Sequence, residues 1–282
     1  MPDVLGTVAS LHRFPVKSMR GERLERAALG PAGLDGDREW ALLDDQDHWV
    51  SAKTNRGRWR LYDGMLDIAA TTAPGPAGRV ASGGSRDDAR TGDSGVRAPA
   101  GAVVVALPDG RTVLAGTPDA DALLSAHLGR ELRFDRGDAG RRWGRHHDAA
   151  PVHLVTSATL EALCSDEDGA PGERDALDPL RLRPNLVVRT PDGTTGFAED
   201  TWVGATLRIG GALLRVTETT GRCVMTTREQ AGLLPRDTTV LKRIGRRNGA
   251  DAGVYLEVLE PGIVAVGDAL RVVEPAPGMI DG

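Results

Sequence analysis

"GAVVVALPDGRTVLAG", residues 101–116, sets two short β-branched runs on either side of Pro108-Asp109-Gly110. Proline fixes the first corner of a turn, aspartate bonds nearby amides, and glycine takes up left-handed backbone. The stretch therefore predicts a β-hairpin. The same pattern recurs along the chain. "VLGTVASLH" (4–12) reads as a strand, and "REWALLDDQDHWVSA" (38–52) as a hairpin that turns at Asp44 to Asp47. From residue 181 onward, "LRPNLVVRT", "TWVGATLRIGGALLRVTET", "CVMTT", "GVYLEVLE" and "GIVAVGDALRVVE" all read as β. Regular short strands joined by glycine-rich turns indicate a small β-barrel or sandwich. Helices are expected over 118–128, just after 156–157 (where Thr156 or Ser157 is a natural cap), and over 238–247. The fold class is mainly β (α+β), with two β-rich parts and a few covering helices.

Composition narrows the function. A hydrophobic fraction of 40 % supplies a core, and with only 4 % aromatics that core is built of Val, Leu and Ala. A net charge of −5 argues against general nucleic-acid binding, which draws its affinity from a basic surface. No apolar run approaches the roughly 20 residues of a membrane span, and the first residues lack the layout of a signal peptide. Two cysteines, Cys164 and Cys223, make no disulfide framework, so the expected setting is cytoplasmic. Residues 71–99 are Gly, Ala, Ser, Pro and charge with almost nothing to bury, and read as a flexible insertion between two strands.

The common catalytic and nucleotide-binding motifs are absent: no GxGxxG after a strand, no P-loop, no HExxH, no CxxC and no GxSxG. His146-His147 read as a solvated loop pair, and Cys164 as a buried packing residue. What remains is a set of short polar motifs near turns. "FPVKS" (14–18) brings Lys17 and Ser18, and "GDREW" (36–40) brings Arg38. "RLRPNLVV" (181–188) brings Arg183 and Asn185, "FAEDTW" (197–202) brings Asp200, and "TTGRCVMTT" (219–227) sets Arg222 beside Cys223. Cations at strand edges with Ser, Thr and Asn nearby suit a phosphate or another anion. Cys223 has three open roles: packing residue, reactive thiolate or soft metal ligand.

Taken together, these motifs resemble the MOSC family, named for the C-terminal domain of molybdenum-cofactor sulfurase. They are most similar to members with an N-terminal β-barrel, the branch that includes the mitochondrial amidoxime-reducing components. "VASLHRFPVKSMRGERLERAALGPAGLDGDREWALLD" carries the N-terminal likeness. "DAAPVHLVTSATLEAL", "LRPNLVV", "FAEDTW", "GRCVMTT" and "GVYLEVLEPGIVAVGDALRV" carry the C-terminal one. The resemblance implies an N-terminal MOSC β-barrel domain over 1–117, a MOSC domain over 118–274 and a tail over 275–282. It also implies a molybdenum cofactor (Mo-molybdopterin) held by Lys17, Ser18, Arg38, Thr156, Ser157, Arg183, Asn185 and Arg222. Cys223 would be the metal ligand and catalytic residue, with Asp200 near the open metal position or else a structural carboxylate.

The implied activity is reduction of N-hydroxylated small molecules. Electrons would come from a separate donor protein of the ferredoxin or flavin-reductase type. The alternatives are a sulfur carrier using a Cys223 persulfide and a non-catalytic cofactor-binding protein. No nucleic-acid or membrane partner is expected. Three departures stand out: Thr220-Gly221 replace the second cysteine and proline common before "RC", "REQAGLLPRD" replaces an Asp-containing turn, and no cysteines remain for an iron–sulfur module.

Overall fold

The protein is described here from a computed structural model covering residues 4–74, 98–138, 145–164 and 176–276. The long first strand, Val4–Arg13, pairs at its end with the next strand, Glu22–Leu24, but its main partners are distant in sequence. It pairs antiparallel with Leu186–Arg189 on one side and with Ala269–Glu274 on the other. Thr206–Ile209, Ala212–Gly221, Asp251–Glu260 and Val152–Thr156 complete the circuit back to Leu186–Arg189, closing a barrel of seven strands. All neighbours are antiparallel except Val152–Thr156 and Leu186–Arg189, which run parallel. Closure removes the unpaired edges that an open sheet would offer to other chains.

The inward-facing positions fill the barrel with aliphatic side chains. Leu11, Leu154, Leu186, Val188, Leu207, Ile209, Leu214, Val254, Leu256 and Leu270 are fully buried. Each contributes about 2 kcal/mol by leaving water. This is the Val-, Leu- and Ala-rich core that the low aromatic content calls for.

The second layer is smaller. Leu132–Arg136 pairs with Trp40–Asp44, which continues through Trp49–Ser51 to Trp59–Leu61. Ala69–Thr72, Val103–Ala106 and Thr112–Leu114 form a three-stranded sheet. In the opening stretch, Ala106 pairs with Thr112 across the Pro108-Asp109-Gly110 turn, and Gly110 has a φ of 87°. Helix Pro118–Leu128 is capped by the Thr117 side chain, which accepts a hydrogen bond from the Ala120 amide. Its core, with Met19, Leu42, Val50, Met65, Ile68 and Leu124, is separate from the barrel's.

Strand pairing crosses a sequence boundary at 117/118 at several points: Val4–Arg13 lies in the barrel, Leu132–Arg136 lies in the N-terminal sheet, and Arg26–Gly30 pairs with Gly262–Ala265. The expected insertion falls largely at 75–97, outside the described residues. "CVMTT", expected as β, is instead a 3-10 turn over Val224–Thr227, with the Thr226 and Thr227 hydroxyls donating to the Cys223 and Val224 carbonyls. Among the described residues, no helix is long and apolar enough to cross a membrane.

Candidate functional site

Four interruptions of the barrel strands converge on one cleft. "FPVKS" leaves the end of Val4–Arg13, Arg181 to Arg183 precede Leu186–Arg189, Asp148 precedes Val152–Thr156, and Arg222-Cys223 follow Ala212–Gly221. The second layer adds Arg38, at the entry to Trp40–Asp44, and Lys53, just past Trp49–Ser51. The cleft is lined by Lys17, Ser18, Arg38, Lys53, Asp148 and His153, with Arg181, Arg183, Arg222, Cys223 and Tyr255 completing its polar wall. Backbone bonds fix the two halves together. The Arg38 amide donates to the Phe14 carbonyl at 2.8 Å and the Lys17 amide to the Trp40 carbonyl at 2.8 Å.

Five non-glycine residues have left-handed backbone among those described, and three of them, Ser18 (φ 64°), Arg38 (48°) and Arg183 (54°), line this cleft. Left-handed backbone costs a side-chain-bearing residue on the order of 1 kcal/mol, and such strain concentrates at binding sites. The Arg38 and Arg183 guanidinium carbons stand 5.2 and 4.1 Å from the Phe14 ring centroid, so one aromatic ring positions both cations.

The charge is uneven. Six cations face the cleft, against Asp148 and the fully buried Asp37 behind Arg38. Asp148 bridges Lys17, at 2.7 Å, and Lys53. Burial alone would raise its carboxyl, but the two lysines hold it well below the usual range. Burial pushes the Lys17 ammonium down to about 8, with Asp148 opposing. Burial, and then the neighbouring Arg38, push Arg183 down to about 9, still a cation at neutral pH. Burial and then Arg222 hold His153 far below its ordinary value, so it is neutral, with Nε2 lying 3.3 Å from Arg222 Nη1. Burial raises the Tyr255 phenol against the pull of Arg222, which keeps its proton on. Gly253 makes room for this pair: its φ is 84°, and a Cβ there would sit 2.6 Å from His153 Nε2.

Three buried donor atoms on cleft residues lack hydrogen-bond partners: Ser18 Oγ, Arg183 Nη1 and Arg222 Nε. Arg181, Arg183 and Arg222 form no ion pair among the described residues. Buried donors without acceptors are costly, and a ligand with anionic oxygens supplies what they lack. Cys223 is exposed at this cleft, next to Arg222. Cys164, by contrast, is half-buried beyond helix Ser157–Ala162, rather than fully packed.

Lys17 makes the site sensitive to pH. Its folded value lies below the ordinary 10.5, so between about 8 and 10.5 the folded chain holds fewer protons than the unfolded one. Its own term therefore favours the folded state more as pH rises through that window. Anion binding runs the other way, because the charge is lost. Sulfate, whose charge is constant here, is expected to bind the protein several-fold more weakly at about pH 10 than at about pH 7. Calorimetric titration checks this, and equal affinity at both would contradict it.

Of the residues singled out in the sequence, Lys17, Ser18, Arg38, Arg183, Arg222 and Cys223 meet in the cleft. Thr156, Ser157, Asn185 and Asp200 are outside its lining. Thr156 caps helix Ser157–Ala162 and donates to Glu199 Oε2 at 2.5 Å. Ser157 Oγ pairs with Thr190 Oγ1 at 3.0 Å. Asn185 ties two strands together, accepting from the His153 amide and donating to the His12 carbonyl. Asp200 accepts from Asn248 Nδ2 at 2.7 Å. His146 and His147 are buried, not solvated; their Nε2 atoms lie 3.0 and 2.9 Å from the carbonyls of Asp135 and Ala32. Lys53, Asp148, His153, Arg181 and Tyr255 also line the cleft without belonging to the residues singled out in the sequence. Of these, only Lys53 and Arg181 carry a sequence signal, Lys53 as one of three lysines in the chain and Arg181 as the neighbour of "RPN".

The MOSC N-terminal beta barrel domain matches residues 5–58 and the MOSC domain matches residues 141–271. No curated protein matches the chain. Among solved structures, the YUAD protein from Bacillus subtilis is similar over 95 % of this chain and 94 % of its own, with 12 % identity and a TM-score of 0.42. YiiM from Geobacillus stearothermophilus is similar over 44 % of this chain and 55 % of its own, with 21 % identity and a TM-score of 0.32. With both domains matched in order along a chain that folds into a closed β-barrel, this protein belongs to the MOSC family, as a member that carries the MOSC N-terminal beta barrel domain ahead of the MOSC domain.

Proposed function

We propose that the cleft binds the molybdenum cofactor and that the protein reduces N-hydroxylated small molecules with electrons from a separate donor protein. One observation supports this above the others: an exposed cysteine beside a cleft whose buried cationic donors lack acceptors. Lys17, Ser18, Arg38, Arg183 and Arg222 would hold the anionic pterin, and the Cys223 thiolate is a soft ligand suited to molybdenum. Among the described residues, no group of three or more His, Cys, Asp or Glu could hold a metal ion. A metal in this cleft would therefore depend on ligands from a cofactor. The chemistry the bound group supplies is acceptance of an oxygen atom coupled to two electrons.

The chain's own residues have the remaining tasks. The balance is R–NHOH + 2 e⁻ + 2 H⁺ → R–NH₂ + H₂O, so each turnover consumes two protons. Tyr255, kept protonated by burial and lining the cleft, is the candidate donor of one from its hydroxyl. Arg222 orients neutral His153 beside it; the His153 and Tyr255 rings are 5.7 Å apart. Tyr255→Phe is expected to lower turnover on the order of 10²-fold while leaving molybdenum content unchanged. Loss of metal along with activity would assign Tyr255 to cofactor binding instead.

The same exposed cysteine suits the rival sulfur-carrier role, since a persulfide needs an accessible thiolate. Turnover of benzamidoxime or a hydroxylamine by the molybdenum-loaded protein with an artificial reductant tests the proposal. Failure of metal-bound protein to turn over either compound would sink it.

A further inference from the structure

"AKTNRGRWR", residues 52–60, holds four cations and no acid, in a chain whose net charge is −5. Lys53, at its start, lines the cleft. Residues 54–58 are exposed. Arg56 and Arg58 enter no ion pair among the described residues, and Arg60 spends its donors on the Gly57 and Trp59 carbonyls and on His48. Lys53 is paired with Asp148, but the positive charge of Arg56, Arg58 and Arg60 is not neutralised by an ion pair among the described residues. Its shape is fixed. Arg58 stacks 4.2 and 4.9 Å from the Trp49 and Trp59 centroids, and Asn55 Oδ1 accepts from the Leu61 amide at 2.7 Å. Trp49 in turn lies under Lys17, 4.7 Å from its ammonium. A pre-ordered basic loop therefore adjoins the cleft, through Lys53 and through the Trp49 contact with Lys17.

We infer that this loop is the docking surface for the electron donor, and that the donor presents an acidic face to it. The inference rests on the proposed reductase function, which requires a protein that delivers two electrons per turnover. Charge complementarity of this kind steers a transient redox partner and sets its on-rate, as a brief electron-transfer encounter needs. The acidic balance of the whole chain disfavours nucleic acid as the occupant.

The test uses the molybdenum-loaded full chain with hydroxylamine as substrate and two reductants: reduced methyl viologen, and a reduced acidic flavodoxin or plant-type ferredoxin. Arg56 belongs to neither the cleft nor the core, so Arg56→Glu should leave viologen-supported turnover unchanged. The KM for the acidic donor should rise about tenfold or more and its salt dependence should flatten, with Arg56→Lys restoring both. Calorimetric titration of the donor into the protein at low salt should show the same loss without any turnover. An Arg56→Glu protein with unaltered donor KM, salt slope and binding overturns the inference, as does binding of single-stranded RNA in place of the acidic donor. Failure of the viologen reaction in the unaltered protein counts against the reductase function instead, and the titration still reads the surface.

Discussion

Cys223→Ala is expected to lose reductase activity on the order of 10³-fold or more, equivalent to about 4 kcal/mol of transition-state stabilisation, and to be purified without molybdenum. Cys164→Ala should keep both within about twofold, because loss of a small half-buried side chain away from the site is a modest packing change. Cys223 lies two residues past the end of the Ala212–Gly221 strand, and the intervening Arg222 is pinned by an amide N–H hydrogen bond to the Ala250 carbonyl and a side-chain hydrogen bond to the Leu182 carbonyl. The 3-10 turn after it begins only at Val224, so the sulfur stays at the exposed edge. Metal analysis beside steady-state kinetics on the two variants checks the expectation. Equal metal in both, with activity lost only in Cys223→Ala, would leave the sulfur as a reacting group rather than a ligand.

The second large effect concerns the frame. Glu199 is fully buried and accepts from the Thr156 amide at 3.2 Å, the Thr156 hydroxyl at 2.5 Å and the Thr159 hydroxyl at 2.7 Å. It thereby joins the 3-10 turn Ala198–Trp202 to the end of strand Val152–Thr156 and to the first turn of helix Ser157–Ala162. Glu199→Ala removes the acceptor and leaves three donors buried, at an expected cost of about 3 kcal/mol or more. Glu199→Gln, which keeps an acceptor oxygen, should cost about 1 kcal/mol. Urea midpoints at constant slope measure both. A Glu199→Ala midpoint equal to that of the unaltered protein would show that the threonines find other acceptors.

Much of the fold was legible because its signals are local. The turn at Pro108-Asp109-Gly110 and the Thr156 cap each depend on residues within one turn. Strand partnership does not. Nothing local tells Val4–Arg13 to join strands more than 170 residues away, as Leu11 does in pairing with Leu186. That choice follows from two cores closing separately, with long-range pairing deciding which strand serves which core.

The site divides the same way. Lys17, Arg38, Arg183 and Arg222 were legible as cations at turns beside strands. Asp148, His153 and Tyr255 enter the cleft only through the register of the barrel, where His153 pairs with Tyr255. "FAEDTW" carries two acids, and only burial in the fold separates their roles. Burial shows Glu199 to be the structural keystone, while Asp200 is tied to Asn248.

The most direct test is the molybdenum content of the native full-length protein, measured by mass spectrometry together with its cyanide-labile sulfur. About one molybdenum per chain, lost on Cys223→Ala, is the predicted result. A metal-free protein that carries labile sulfur on Cys223 would contradict it.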